Sequence, residues 1–325
     1  MNDQKYIDEC WQKAIKAKDS KNYPVAKRWF CKVIEENSKL LQCWILVASC
    51  DFELGNYSEA LRSFRKAERL SPKDWVIQTY IGIVQLELNR PKLAERTLRK
   101  SLELKPQAET YSTLCSSLKK QGKTHKAVAC LKSALKCDPN YEEAYYNLGV
   151  YYSSQNQWVR AEKCFSKAIE IDPRYSLAYG ELGNVMLHKK QYRVARRLLR
   201  KSIRLSSENY WTHISLATVN WILRKLKEAD HEFQEALRLL PKDAWALASY
   251  GHFLSSEKRK IEEGEVYLKK ALSLSPQNVS IQFFIGKHFL RLGLIDEARI
   301  HLRKAARKGH KKAKVLLNGM KKDNL

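Results

Sequence analysis

The chain has 325 residues and a formal net charge of +25. Length alone suggests two domains, and the charge invites a nucleic acid or an acidic protein as partner. No apolar run reaches membrane-spanning length and the opening MNDQKYIDEC is polar, so neither a transmembrane segment nor a secretory signal is expected; the reading is cytoplasmic, with a nuclear location also open.

Taken in order, the sequence falls into nine units of about 34 residues: 7–40, 41–74, 75–107, 108–141, 142–175, 176–209, 210–243, 244–278 and 279–312. The fifth shows the pattern most clearly. Tyr145, Leu148, Gly149 and Tyr152 recur at i, i+3, i+4 and i+7, and Ala161, Phe165, Ala168 and Ile169 repeat that spacing. Both patterns predict helices. A polar turn, Gln155-Asn156-Gln157, separates them, and other units place Gly55, Gly122 or Gly293 there, as a left-handed helix end requires. Most units close on a proline, such as Pro72, Pro139 or Pro173, which ends the preceding helix.

The small residues, Gly149 and Ala161 in this unit, mark a close approach of the two helices. One such hairpin cannot bury its own apolar face, so stacked copies must share a core. The third unit is one residue short. The eighth carries an extra residue in its Lys258-Arg259-Lys260-Ile261 turn and has Gly264 in place of the alanine. A helical glycine costs ~1 kcal/mol against alanine, which predicts that this unit is the softest. In the tail, 313–325, Ala313, Leu316, Leu317 and Met320 again keep helical spacing.

These units resemble the tetratricopeptide repeat family along the whole chain. The resemblance implies an all-α, right-handed solenoid superhelix of about nine helix-turn-helix repeats, with the tail as a C-terminal capping helix and the chain forming a single domain. It also implies first helices that line a concave groove and second helices that form the outer face.

No catalytic motif accompanies the repeats. Phosphate-loop, dinucleotide-binding, zinc-protease and nucleophile-elbow patterns are all absent from the sequence, so no enzyme and no cofactor is expected. The eight cysteines contain no CxxC pair, and His188, His252 and His288 have no histidine four residues away. No metal site is expected. The cysteines read as small buried hydrophobes.

Charge is unevenly distributed. The first fourteen residues of the nine units together hold eight lysines and arginines against eleven acids. The positive excess therefore lies on second helices, turns and tail, most densely at Arg196, Arg197, Arg200, Lys201 and Arg204. That stretch is a candidate face for RNA, an anionic membrane or an acidic protein, or simply a solvated surface.

The groove positions implied by the family supply Tyr146, Asn147, Val150, Asn184, Trp211, Thr218, Trp221, Trp245, His252, Phe283 and Lys287 as candidate partner-binding residues. Trp221, late in its helix, is the tryptophan least expected to hold repeats together, whereas for Trp211 and Trp245 packing between repeats stands open beside a partner contact. The basic residues of the family's chaperone-tail clamp are not assembled here, and the asparagine ladder of its sugar-transferase members is represented only by Asn147. The leading expectation is a scaffold that holds a peptide or helix of one or more partner proteins. A basic outer face for RNA or membrane comes second. Self-association comes third, with support if Trp11, Trp29 and Phe30 of the first unit are exposed.

Overall fold

The computed structural model describes residues 2–257 and 260–322, and among them are nineteen α-helices and no strand. Lys258 and Arg259, in the turn with the extra residue, lie outside the described residues, as do residues 323–325 of the tail. Two compact units divide the chain, residues 1–151 and 152–325. The first holds α1 (Asn2–Asp19), α2 (Tyr23–Glu36), α3 (Leu41–Glu53), α4 (Tyr57–Leu70), α5 (Trp75–Glu87), α6 (Pro91–Leu104), α7 (Ala108–Lys120), α8 (Thr124–Cys137) and most of α9 (Glu142–Ser154). The second holds α10 (Trp158–Ile171), α11 (Ser176–His188), α12 (Tyr192–Leu205), α13 (Tyr210–Ile222), α14 (Leu226–Leu239), α15 (Ala244–Ser256), α16 (Ile261–Leu274), α17 (Val279–Arg291), α18 (Ile295–Arg307) and α19 (Lys311–Lys322).

Odd-numbered helices from α3 to α17 begin where the sequence period starts each new unit. The first helix differs: α1 starts five residues before Ile7, at Asn2. Successive helices pack as hairpins in the pairs α1–α2, α3–α4, α5–α6, α7–α8, α11–α12, α13–α14, α15–α16 and α17–α18, the arrangement that short connections enforce.

Small residues set the closeness of these hairpins. Ala60, Ala94, Ala161, Ala195, Ala229 and Ala298 are fully buried on second helices. Opposite them, a Cβ added to Gly183 of α11 would lie 2.7 Å from Leu199 of α12, and one on Gly286 of α17 would lie 2.7 Å from Leu302 of α18. Bulky partners then fill the hairpin: Phe64, Phe165, Phe233 and Leu199 are buried, each worth about 1.5–3 kcal/mol of apolar burial.

The eighth repeat takes this furthest. A Cβ on Gly264 would stand 2.6 Å from the Ser255 backbone nitrogen, and one on Gly251 would stand 2.8 Å from the Gly264 carbonyl oxygen. Gly264 is thus a packing requirement of α15 against α16. The cost of glycine in a helix is offset by backbone contact that alanine would forbid.

Turns end the first helices in the left-handed region. Gly55, Gly122 and Gly293 take φ of 74°, and elsewhere Asn89, Asn156, Lys190 and Arg224 accept φ of 54–60°. Several first helices are closed at the other end by side-chain caps. Asp74, Asn209 and Asn278 each accept hydrogen bonds from two backbone N–H groups of the helix that follows. Such a cap contributes about 1 kcal/mol.

The first repeat does not present a bare apolar end at the aromatic positions. Phe30 is buried and stacks edge-on with Trp11, and Trp29 is half-buried beneath the ammonium groups of Lys13 and Lys32. Cys10, Cys43, Cys50 and Cys115 are buried, and burial pushes the thiols of Cys43, Cys50 and Cys115 up to about 11. Cys137 departs from the buried-cysteine expectation. It ends α8 in an exposed position, where the helix has already left the core. Among the described residues no helix is long and apolar enough to cross a membrane, and no three His, Cys, Asp or Glu side chains gather as metal ligands do.

Candidate partner-binding surfaces

Two surfaces gather the residues that sequence singles out. The first runs over α11, α13, α15 and α17. Its core is a row of rings. Trp211 lies 5.2 Å from Tyr210 and 6.4 Å from Trp245; Trp245 lies 5.8 Å from Phe284; Phe284 stacks on His252 at 4.4 Å; and His252 meets Trp221 edge-on at 5.3 Å. The row crosses three successive first helices because equivalent positions on neighbouring repeats fall side by side.

Packing along the row shows that Trp221 is less free than its late position suggests, and that Trp211 is the exposed tryptophan. Trp221 also packs edge-on against Phe253 at 5.7 Å and against the core that includes Phe233 and Ala217. Its late position lets the ring reach the next first helix, so it joins the two repeats. Trp211 instead keeps 48% of its surface exposed, next in repeat register to Leu177 at 42%. Trp221 and Trp245 are both half-buried.

Phe283 is also buried, at 7% exposure. It stacks on His310 at 4.1 Å and joins Leu302, Ala305 and Ala313 in the core under α19. The capping helix therefore covers a position that the repeat pattern alone leaves open. His252 is 9% exposed and its Nδ1 has no hydrogen-bond partner. Burial pushes its pKa down to about 3, with Lys287 and Arg291 adding repulsion. The ring is therefore neutral at physiological pH. Burial likewise lowers the pKa of Lys287, reinforced by Arg291 and Lys312. Thr218 spends its hydroxyl on its own helix, donating to the Ile214 carbonyl at 2.8 Å. Asn184 is half-buried on α11. Tyr146, Asn147 and Val150 are half-buried on α9 in the first unit, where the Asn147 amide donates to Glu143 at 3.5 Å. Phe284 and Arg291 belong with this surface. Sequence reading missed them because each sits one place beyond an expected position.

The second surface is α12. Arg193, Arg196, Arg197, Arg200, Lys201 and Arg204 line a cleft of about 500 Å³ together with Tyr179. Ala195, Leu199 and Ser202 bury the opposite side of the helix, which leaves the cations on one stripe. The Arg196 guanidinium donates to Asn220 at 2.8 Å, and the Lys201 ammonium lies 6.0 Å over the Tyr179 ring. Among the described residues none of the six has a carboxylate within 4 Å.

Comparison with known proteins gives a consistent family. Models described as tetratricopeptide repeat match residues 142–175, 164–196, 51–109 and 257–312, and a TPR repeat model matches 116–156. Protein FlbA of Caulobacter vibrioides is 24% identical over 138 residues, which is 42% of this chain and 23% of that protein. BBSome complex member BBS4 of Mus musculus is 28% identical over 130 residues, 37% of this chain and 25% of that protein. The matches thus span about a quarter of the length of either relative. Among solved structures, the APC/C hetero-tetramer Cut9-Hcn1 superimposes with a TM-score of 0.67 at 18% identity, covering 85% of this chain and 54% of that one. Pseudomonas aeruginosa PilF does so with a TM-score of 0.58 at 20% identity, covering 66% and 97%. At these identities the structures share a fold.

Proposed function

Because the chain belongs to the tetratricopeptide repeat family, we propose that it is a non-enzymatic interaction scaffold, and that it receives a peptide or helix of a partner protein along the first-helix face of its second unit. Family members serve in general as protein-interaction scaffolds, and the BBSome and APC/C proteins it resembles are named as members of complexes. The observation that carries the reading is Trp211. It lies within a self-packed row of rings yet leaves half its surface to solvent, next in repeat register to the exposed Leu177. A rigid, backed aromatic with an open face is what an interface anchor requires.

The test separates anchor from packing. Trp211→Ala lowers recovery of partner proteins from source cells about tenfold, with the melting temperature nearly unchanged. Trp221→Ala destabilises the fold by on the order of 3 kcal/mol, since it empties space against Phe253 and His252. Unchanged recovery with folded Trp211→Ala overturns the proposed site.

A further inference from the structure

We infer that α12 is a second docking site, independent of the first-helix face, and that its occupant is an acidic helical segment of another protein. Three observations converge. The six cations lack carboxylate partners among the described residues, whereas the equivalent helix α4 holds Arg62 with Glu59 and Arg65 with Glu68. Arg193, Arg197, Arg200, Lys201 and Arg204 are exposed, and even Glu228, which lies within electrostatic reach of Arg196, is engaged by Lys225 at 3.6 Å.

The spacing selects the occupant. Positions 193, 196/197, 200/201 and 204 recur each helical turn, about 5.4 Å apart, over about 16 Å. A facing helix with glutamates at the same spacing keeps register over the whole stripe. Same-face residues of an extended strand fall about 6.6–6.8 Å apart and lose register within two steps. Five of the six cations are arginine, whose fork matches a carboxylate through two parallel hydrogen bonds.

Other anionic partners fit less well. The stripe lines a cleft, and the aliphatic neighbours Val194 and Leu198 are half-buried beside the cations, so only a small apolar surface is offered to a flat bilayer. Among the described residues Tyr179 is the one ring lining the cleft, and it is half-buried beside Lys201, which leaves little platform for nucleic-acid bases. A second copy would bring another +25 charge. An acidic partner removes that repulsion.

The probe is a labelled helical peptide with glutamates at i, i+4, i+7 and i+11, titrated against the full chain. Controls are a scrambled peptide of the same composition, an oligouridylate and phosphatidylserine vesicles. The in-register peptide binds at least about fivefold tighter than the scramble, and its affinity falls as salt rises. Arg197→Glu with Arg200→Glu weakens it at least about tenfold, whereas the position-matched pair Arg62→Glu with Arg65→Glu, which changes net charge equally, weakens it less than about threefold. Both reversed pairs are exposed, and circular dichroism checks that the variants fold; the neutral pair Arg197→Gln with Arg200→Gln gives a second, milder reading of the same loss. Equal losses from both reversals, no preference for register, or tighter binding of the oligouridylate or vesicles overturns the inference.

Discussion

Helices α4 and α12 occupy the same place in their repeats and share four cations. Aligned on Ala60 and Ala195, Arg62, Arg65, Lys66 and Arg69 of α4 correspond to Arg197, Arg200, Lys201 and Arg204 of α12. The difference lies in the residues between. α4 carries Glu59, paired with Arg62 at 2.8 Å, and Glu68, paired with Arg65 at 2.6 Å. α12 has Val194 and Ile203 at those places, and adds Arg193 and Arg196 where α4 has Ser58 and Leu61. Both helices read as basic, but α4 ties two of these four cations to acids and α12 ties none. Net charge describes solubility; the pattern of pairing decides what a surface can bind.

Three measurements probe this contrast of paired and unpaired second helices. The largest effect belongs to α6, where pairing is deepest. Glu95 is held by Lys123 at 2.8 Å, Arg99 at 3.0 Å and Gln121 at 3.0 Å, with 15% of its side chain exposed. The Lys123 hydrogen bond is the main cause that brings its carboxyl down to about 2, against burial, with Arg99 and Gln121 adding to it. Glu95→Gln lowers unfolding free energy at pH 7 by about 1–3 kcal/mol, read by urea denaturation. Because the folded pKa lies below the unfolded one, that contribution is full above the ordinary glutamate range. It is lost as pH falls from about 4.5 towards about 2, so the parent–variant gap closes in that window.

A smaller effect comes from making α4 resemble α12. Glu59→Gln with Glu68→Gln releases Arg62 and Arg65, and the in-register acidic peptide gains roughly fivefold in affinity. A flat response would mean that the unpaired cations of α12 owe nothing to the missing acids. The smallest effect is on folding at the most exposed of these pairs. Glu59→Gln alone shifts stability by no more than about 0.5 kcal/mol, because solvent and salt already screen it.

Much of the architecture was legible in the residues. Gly183 facing Leu199, or Gly55 in its left-handed turn, follow from a period that any one unit displays. The site was legible only as a set of positions. Sequence placed Trp211, Trp221, Trp245 and His252 on one surface, and the structure does bring their rings together. It gave Trp221 too much freedom and left Trp211 undecided: Trp221 packs on Phe253, and Trp211 is the open one. Gly264 looked like a weak point, and the close backbone of Ser255 shows why it must be glycine.

By itself the sequence determined the hairpins, their number and the side of each helix that turns inward. Those follow from local spacing, because small and large residues recurring at helical period leave one way to close each unit. Only the tertiary structure decided which groups remain available. Phe283 lost its surface to α19, His252 was enclosed between Trp221 and Phe284, and the α12 arginines were left without acids. Exposure depends on neighbours about one repeat away along the chain, which a pattern read within one unit does not contain, whereas the α4 ion pairs lie three residues apart on one helix and are local.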